Sequence, residues 1–482
     1  MAIVIAGERS GAGKTTLTLM LLAYLTRHQL TVQSFKVGPD YIDPMFHQYV
    51  TGRACRNLDP VLTSENYVQQ CFHRHSQTSE CALVEGVMGL FDGVRMTDKL
   101  TVGDFASTAH IARVLGLPVV LTIDCSRLSG SVAAIAQGYS TFDPRVQLAG
   151  VILNRVGSDR HQQLLEDALE PLQIPILGVL RREDKIAIPD RHLGLVPTAE
   201  LPELDRVIDR LAHLAETCLN WERLLPLLRT QHITPPEVAG LTIDTQNVNF
   251  QSAIRIAIAR DAAFSFYYQD NLDLLAALGA ELVPWSPLGD RALPEAVGGL
   301  YFGGGFPEMF AEQLANNSDA LQAVKQAIKQ GMPTYGECGG LMYLGEKIVD
   351  FAGESWPMVG ILPTSTVMGT KLTLGYRQAT ALQDTPILLA KQKVFAHEFH
   401  RSHLTREPES PLFQIQSFQR GAIAATEGWG GTVKQGTAFP QVHASYLHLH
   451  WGGTPEIPRR FLQNCQRFAR KMGTSEGLRY NR

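Results

Sequence analysis

Two groups of residues in this chain have the types and spacing to do chemistry. The first is AIVIAGERSGAGKTT, where an apolar run leads through glycines into Lys14, Thr15 and Thr16 at the start of a helical pattern. A phosphate cradle needs this order: Gly11 and Gly13 let backbone N–H groups approach the phosphates and the helix start adds a favourable dipole. Lys14 supplies a point charge and Thr15 a hydroxyl for Mg²⁺. The glycine spacing is one residue longer than the common phosphate-loop pattern, because Glu8 stands five residues before Gly13 and the glycine lies at Gly7. Downstream, FKVGPDYIDP sets Asp40 and Asp43 on either side of Tyr41 in a polar loop, and ALVEGVMGLFDG ends a buried strand on Glu85. Carboxylates at the C-terminal ends of parallel strands sit beside the ligand crevice, which makes Asp40 and Glu85 candidates for Mg²⁺. Tyr41, Asp43 and Asp92 are candidate substrate residues, although the Asp92–Gly93 pair reads equally well as an ordinary turn.

The second group is MPTYGECGGLMYLG, which places Cys338 between an extended segment and a helix pattern, with Gly336, Gly339 and Gly340 permitting a sharp turn. Such a turn exposes a nucleophile, and the helix start is expected to depress the thiol pKa and favour thiolate. The other six cysteines (Cys55, Cys71, Cys81, Cys125, Cys218 and Cys465) lack flanking glycines and read as small buried hydrophobes or inert thiols. Base candidates lie in HASYLHLHW: read as one strand, it puts His448 and His450 on one face and His443 on the other. HEFHRSH at 397–403 adds three histidines, but neither segment has the H-E-x-x-H spacing of a zinc helix, so catalytic or substrate roles are preferred to a metal centre.

These residues need strands and helices to hold them. AIVIA, CALVEG, PVVLTID and LAGVIL read as buried parallel strands alternating with amphipathic helices, which predicts an α/β domain with helices on both faces of the sheet. The pattern breaks after Leu228, at RTQHITPPEVAG, and a second α/β series begins at IRIAIARD. We therefore expect an ATP-binding unit over 1–228, a linker over 229–252, a second unit over 253–470 and a frayed tail over 471–482. The 482 residues fit two such units. With 43 basic against 47 acidic residues and a formal charge of −4, the chain lacks the basic excess of a nucleic-acid binder. The seven cysteines form no C-x-x-C pair, which argues against disulfides and structural zinc. The first apolar run meets Glu8 and Arg9 after five residues, and no apolar run reaches the ~20 residues of a bilayer span. Cytoplasmic location, with no membrane partner, is the expectation.

The first group, with NLDP, STAHIARVLGLPVVLTID, GVILNRV and PDRHLGLVPTAE, resembles the dethiobiotin-synthetase-like amidoligases, in particular the cobyrinic acid a,c-diamide synthase family. The resemblance implies a domain that binds ATP and Mg²⁺ and phosphorylates a corrinoid carboxylate for attack by ammonia. Lys14, Thr15, Asp40 and Glu85 carry over as phosphate and metal residues, and Asn154 as the adenine contact. Family members often have Thr or Ser where Glu8 stands, so an acid there should weaken the cradle unless Arg9 or the metal offsets it. The second group, with YFGGGFPE, resembles the class I glutamine amidotransferase domain (flavodoxin-like) of cobyric-acid-type enzymes. There the cysteine attacks the glutamine amide, a thioester forms and ammonia leaves. By the motif S-Y-L-H the base is His448, with His443 and His450 as alternatives. Backbone N–H groups of Gly304 or Gly305 and of Gly339 would meet the oxyanion. The H-x-E of other amidotransferases is missing because position 450 is His, and within this subgroup a Cys–His pair suffices. The blocks D-x-A-F-x-F-Y-Y at 261–268 and HEFHRS also resemble family blocks, the first as readable as core as it is as contact surface, the second expected near the amidotransferase site.

Together the resemblances imply two ATP- and glutamine-dependent amidations, of the a and c acetates of cobyrinic acid, with a protected route for ammonia between the centres. Small-molecule partners are then the corrinoid, L-glutamine and ATP, and an active site completed across a homodimer is consistent with the pattern. Hydrogenobyrinic acid or nickel sirohydrochlorin are alternative macrocycles. A P-loop regulatory ATPase, or a binding module that has lost catalysis, are readings from other classes; the Cys338 turn with His448 argues against the first, and Cys338→Ser would expose the second by leaving glutaminase activity unchanged.

Overall fold

The computed structural model of the protein describes residues 2–94, 103–182, 190–191, 194–195, 197–201, 203–230, 253–418, 425–431 and 441–477, with backbone alone at 190–191, 194–195, 199 and 473–477. The chain divides into two compact units, Met1–Gly240 and Leu241–Arg482. The expected linker lies outside the described residues except for Arg229 and Thr230, which are tied to the first unit: Arg229 bridges Cys81, and the Thr230 N–H donates to Glu80 O at 2.9 Å.

The first unit opens with β1 (Ile3–Gly7), α1 (Lys14–Arg27), β2 (Val32–Val37), α2 (Ile42–Thr51), β3 (Arg56–Leu58), α3 (Glu65–Ser76) and β4 (Cys81–Glu85). It continues with α4 (Thr108–Leu115), β5 (Val119–Asp124), α5 (Ser131–Thr141), β6 (Leu148–Val156), α6 (Asp159–Leu169) and β7 (Ile176–Arg181). A short antiparallel pair, β8 (Asp190–Arg191) and β9 (Gly194–Leu195), precedes α7 (Leu204–Cys218) and α8 (Trp221–Leu228). The main sheet is parallel with order β3-β2-β4-β1-β5-β6-β7. Its central strands are buried along their whole length because helices cover both faces, as in other parallel sheets, and β4 and β5 reach acids only at their C-terminal ends. Ser64, Ser107 and Ser158 start α3, α4 and α6 by accepting the third following backbone N–H, which satisfies one of the unpaired donors at each helix start. With β1 central and β4 and β5 on its flanks, the loops after all three strands meet at one edge, where the strand order reverses and ligands bind.

The second unit contains β10 (Ile254–Ala259), α9 (Gln269–Ala277), β11 (Ala280–Trp285), β12 (Gly299–Phe302), α10 (Ala311–Asn316), α11 (Ser318–Lys329), β13 (Thr334–Glu337) and α12 (Gly339–Leu344). Then come β14 (Lys347–Val349), β15 (Ser355–Pro357), β16 (Thr366–Ala381), β17 (Lys393–Leu404), β18 (Phe413–Ser417), β19 (Ala425–Glu427), β20 (Trp429–Gly431), β21 (Val442–Ser445) and α13 (Glu456–Gly477). The sheet β11-β10-β12-β13-β21 is parallel in the doubly wound 2-1-3-4-5 order, with β20 antiparallel at its edge.

Three sequence expectations need correction here. Between α12 and β21 the chain builds a separate, mostly antiparallel sheet around the long β16–β17 pair, whose half-exposed strands do not read as buried apolar runs. The expected tail is helical as far as Gly477, because α13 continues past Lys471. The final histidine segment is a strand only to Ser445; beyond it, His448 makes an isolated bridge with His397.

Candidate active sites

In the first unit the chain leaves β1, turns through Gly11 and Gly13 at φ +77° and +104°, and enters α1 at Lys14. Gly13 is required twice over: its φ is costly for other residues, and an added Cβ would stand 2.3 Å from Asn154 Nδ2. Asn154 holds the loop by donating to Ala12 O at 2.8 Å, while its Oδ1 accepts the Arg155 N–H. The adenine contact implied for Asn154 would therefore use its second amide hydrogen. Lys14 is largely buried and donates to Met88 O at 2.5 Å and to Arg9 O at 3.4 Å; burial and the nearby Lys36 lower its pKa. Thr16 follows in the first turn of α1.

The acid of the site is Glu85, fully buried at the end of β4. Its Oε1 accepts from Thr15 Oγ1 at 2.6 Å and from Lys36 Nζ at 3.0 Å, and its Oε2 lies 2.7 Å from His47 Nε2. Burial opposes the charge on Glu85, but Lys36 and His47 outweigh it and hold the carboxyl below the usual range. Burial likewise opposes the Lys36 ammonium, and Asp43 and Glu85 overcome it, so that Lys36 stays charged. Asp43 reaches Lys36 Nζ at 2.5 Å and Thr15 Oγ1 at 3.4 Å.

Lys36 and His47 were not singled out from the sequence. The available signal was a lysine in an otherwise buried strand, since β2 reads VQSFKV with every residue buried. Asp43 is not in a loop, as expected, but in the first turn of α2, whose first N–H groups at Ile42 and Asp43 are capped by Asp40 Oδ1 at 2.9 and 3.1 Å. Tyr41 is buried at the start of that helix. Asp92 takes the plainer of its two readings: exposed, it accepts the Gly89 N–H at 2.8 Å and closes a turn. Glu8 is drawn towards the end of β5, accepting the Asp124 N–H at 3.2 Å with Arg9 Nε 3.4 Å away, and burial raises its pKa. The oxygens of Thr15, Asp43 and Glu85, with those of Asp40 just before α2, form a hard donor set that fits Mg²⁺. Of the run PDRHLGLVPTAE, residues 190–191 and 194–195 form the β8–β9 pair, and the chain is described again over 197–200.

In the second unit Cys338 joins β13 to α12 with φ +46° and ψ −98°, a strained conformation for a residue with a side chain. The turn is held by the Cys338 N–H donating to Ser445 O at 2.7 Å, and Sγ lies 3.9 Å from Phe399 O. The expectation of a depressed thiol pKa is overturned. Cys338 is buried, and burial pushes the thiol well up, with Glu308, Glu337 and Glu398 acting in the same direction. The six residues of α12 supply too little dipole to compensate. A neutral resting thiol needs a base that takes the proton during attack.

Gly304 and Gly305 run beside this turn. A Cβ on Gly339 would stand 3.2 Å from Gly305 N, and a Cβ on Gly304 would stand 2.7 Å from His448 Cε1. These approaches bring Gly305, Gly339, Cys338 and His448 around one small space. The Gly304 N–H donates to Phe266 O at 3.2 Å, so of the two glycines Gly305 is the better placed to meet an oxyanion. The alternative histidines face elsewhere: His443 Nδ1 lies 3.2 Å from Thr385 Oγ1 in the core, where burial lowers its pKa to about 3, and His450 Nε2 lies 3.5 Å from Asp270 Oδ2. Gly304→Ala is expected to displace the His448 ring and lower glutaminase kcat about 10²-fold, with ammonia-dependent synthesis unchanged; steady-state assays with each nitrogen donor check this.

The aromatic block at 261–268 is scaffold. Phe264 packs edge-on to Phe302 and Tyr343, and Phe266 pairs with Gly304 through two backbone hydrogen bonds. The Tyr267 hydroxyl donates to Ala259 O and accepts the Gly303 N–H. The HEFHRS block lies on β17 over Cys338. Glu398 bonds Arg377 at 2.7 Å and His400 at 3.0 Å, and His400 stacks on Tyr446. A further acid of this region, Glu427, accepts from Ser445 Oγ at 2.6 Å and from the Tyr446 N–H at 2.7 Å; burial raises its carboxyl to about 8. The folded state thus keeps a proton that the unfolded chain releases near pH 4.5, so stability falls as pH rises from there to about 8. Glu427→Gln is expected to flatten the thermal midpoint of this unit between about pH 5 and about pH 8, as calorimetry at both ends of that window reads.

Residues 3–196 match the CobQ/CobB/MinD/ParA nucleotide binding domain, and residues 255–455 the CobB/CobQ-like glutamine amidotransferase domain. A nucleotide-binding unit joined to a cysteine-turn amidotransferase unit defines an enzyme class, the carbon–nitrogen ligases that take their nitrogen from glutamine. The cobyrinate a,c-diamide synthase of Synechococcus sp. is 59% identical over 466 residues, covering 97% of this chain and 98% of the relative. Those of Synechocystis sp. (54% over 476 residues, 98% and 95%) and Gloeobacter violaceus (48% over 465 residues, 96% and 97%) match as fully. The chain belongs to the cobyrinate a,c-diamide synthase family. No helix among the described residues is long and apolar enough to cross a membrane.

Proposed function

We propose that the protein amidates the a and c acetate carboxylates of cobyrinic acid in cobalamin biosynthesis, using ATP and glutamine. In the first unit Lys14, Thr16 and the N–H groups of Gly11 and Gly13 hold the phosphates of ATP. Thr15, Asp40 and Glu85 would hold Mg²⁺, which when bound neutralises charge on the phosphate oxygens. Tyr41 and Asp43 lie where the corrinoid carboxylate would approach. Its oxygen attacks the γ-phosphorus, ADP leaves, and an acyl phosphate results. Lys36, facing Asp43 and Glu85, adds positive charge beside the transferring group.

In the second unit Cys338 Sγ attacks the glutamine side-chain carbonyl while His448 takes the thiol proton. The oxyanion is met by the N–H groups of Gly305 and Gly339, His448 returns the proton to the departing ammonia, and water hydrolyses the thioester to glutamate. Ammonia then attacks the acyl phosphate, forming the amide and releasing phosphate. The observation that carries this reading is the presence in one chain of the Lys14–Thr15–Glu85 cluster and the Cys338 turn, in a sequence matched end to end by relatives named for this reaction.

The test is direct conversion: the protein is given ATP, Mg²⁺ and glutamine with cobyrinic acid, hydrogenobyrinic acid or nickel sirohydrochlorin in parallel. Successive mono- and diamide products from cobyrinic acid support the reading. Preference for another macrocycle reassigns the substrate, and ATP hydrolysis indifferent to both glutamine and macrocycle overturns it in favour of a regulatory ATPase.

A further inference from the structure

Position 450, where other amidotransferases of this fold carry the carboxylate that orients the catalytic histidine, is His in this chain. The structure holds a different carboxylate against His448. Glu337, the last residue of β13 and the one before Cys338, places Oε2 3.6 Å from His448 Nδ1, and both residues are almost wholly buried, at 1% exposure. Its other oxygen, Oε1, accepts the Tyr335 hydroxyl from the same strand and the Leu449 N–H at 3.1 Å from the residue after His448. These two bonds pin the carboxylate from both sides and leave Oε2 turned to the imidazole.

We infer that Glu337 is the positioning carboxylate for His448, supplied from the end of the strand that leads into the nucleophile and not from the segment that carries the histidine. This inference rests on the reading of Cys338 as nucleophile and His448 as base. With Oε2 facing Nδ1, the imidazole keeps its proton on Nδ1 and presents Nε2 as acceptor. When the Cys338 thiol proton passes to Nε2, the carboxylate stabilises the imidazolium that forms, as a buried aspartate does in serine hydrolases. The 3.6 Å separation is that of a poised contact, of the kind that tightens when substrate binds. Because Glu337 and Cys338 are adjacent, the strained turn that presents the sulfur also fixes the carboxylate. The orienting group and the nucleophile therefore move as one body.

Glu337→Gln separates this role from a structural one, because the amide oxygen still accepts from Tyr335 and Leu449 while the charge is lost. In the full-length enzyme, glutaminase kcat is expected to fall about 10²- to 10⁴-fold, with KM for glutamine within about threefold and ammonia-dependent synthesis unchanged. A kcat within about threefold of the parent overturns the inference, as does a parallel loss of ammonia-dependent synthesis, which would make Glu337 a structural residue. A Cys338→Ser variant that kept its glutaminase would instead overturn the underlying reading, so the two failures are told apart.

Discussion

Cys338→Ser is expected to abolish glutamine-dependent synthesis, with a fall of about 10⁴-fold or more, while leaving synthesis from ammonium salts within about twofold of the parent. The exchange of sulfur for oxygen is nearly isosteric, and the backbone bond to Ser445 O does not involve the side chain, so the strained turn and its packing survive. What is lost is the ionisable nucleophile. Burial already holds the Cys338 thiol well above its ordinary pKa, and a hydroxyl in the same setting is far harder to deprotonate, so His448 has no accessible proton to take. Amide product formed from glutamine and from ammonium chloride, measured side by side, reads the effect. Loss of both activities in a folded variant would sink the division of labour between the two units.

Lys14→Ala is expected to act the other way, removing synthesis with either nitrogen donor by about 10³-fold or more while sparing glutaminase chemistry at Cys338. Lys14 stands at the first position of α1, and its ammonium reaches back over the loop to Met88 O and Arg9 O, which fixes a charge where the phosphates would lie. Alanine leaves the helix intact, being the best helix former, so the loss falls on ATP and not on the fold. Phosphate release and amide formation, each with glutamine and with ammonia, check the prediction. Synthesis within about tenfold of the parent would point to Lys36, a second buried lysine beside Glu85, as the carrier of the role.

The strands at 3–7, 81–85, 119–124 and 148–156 were legible because parallel strands under two layers of helix become unbroken apolar runs. Glu85 and Cys338 were legible for a related reason: a charge ending an apolar run, and a cysteine among glycines, break a pattern that packing alone would continue. Lys36 was hidden because a single charge inside VQSFKV is indistinguishable from a solvent-facing strand position until Asp43 and Glu85 are seen around it. The direction of the Cys338 thiol shift was misread because residue order shows the helix start but neither the burial of the sulfur nor the acids at 308 and 398 that act on it. Glu337 lay in plain view beside Cys338. Its pairing with His448 is a contact between the end of β13 and the segment that follows β21, which no local spacing encodes.

The antiparallel sheet interposed between α12 and β21 has a kinetic consequence. Cys338 and His448 stand about 110 residues apart, and docking β21 on β13 closes the intervening chain that carries the long β16–β17 pair. Contacts of such sequence separation form late, because the entropy of closing the intervening chain is lost before the pairing rewards it. During refolding, the parallel core of the second unit and its glutaminase activity should therefore return on different clocks. Hydrolysis of glutamine reports the closing step of assembly and not the first collapse.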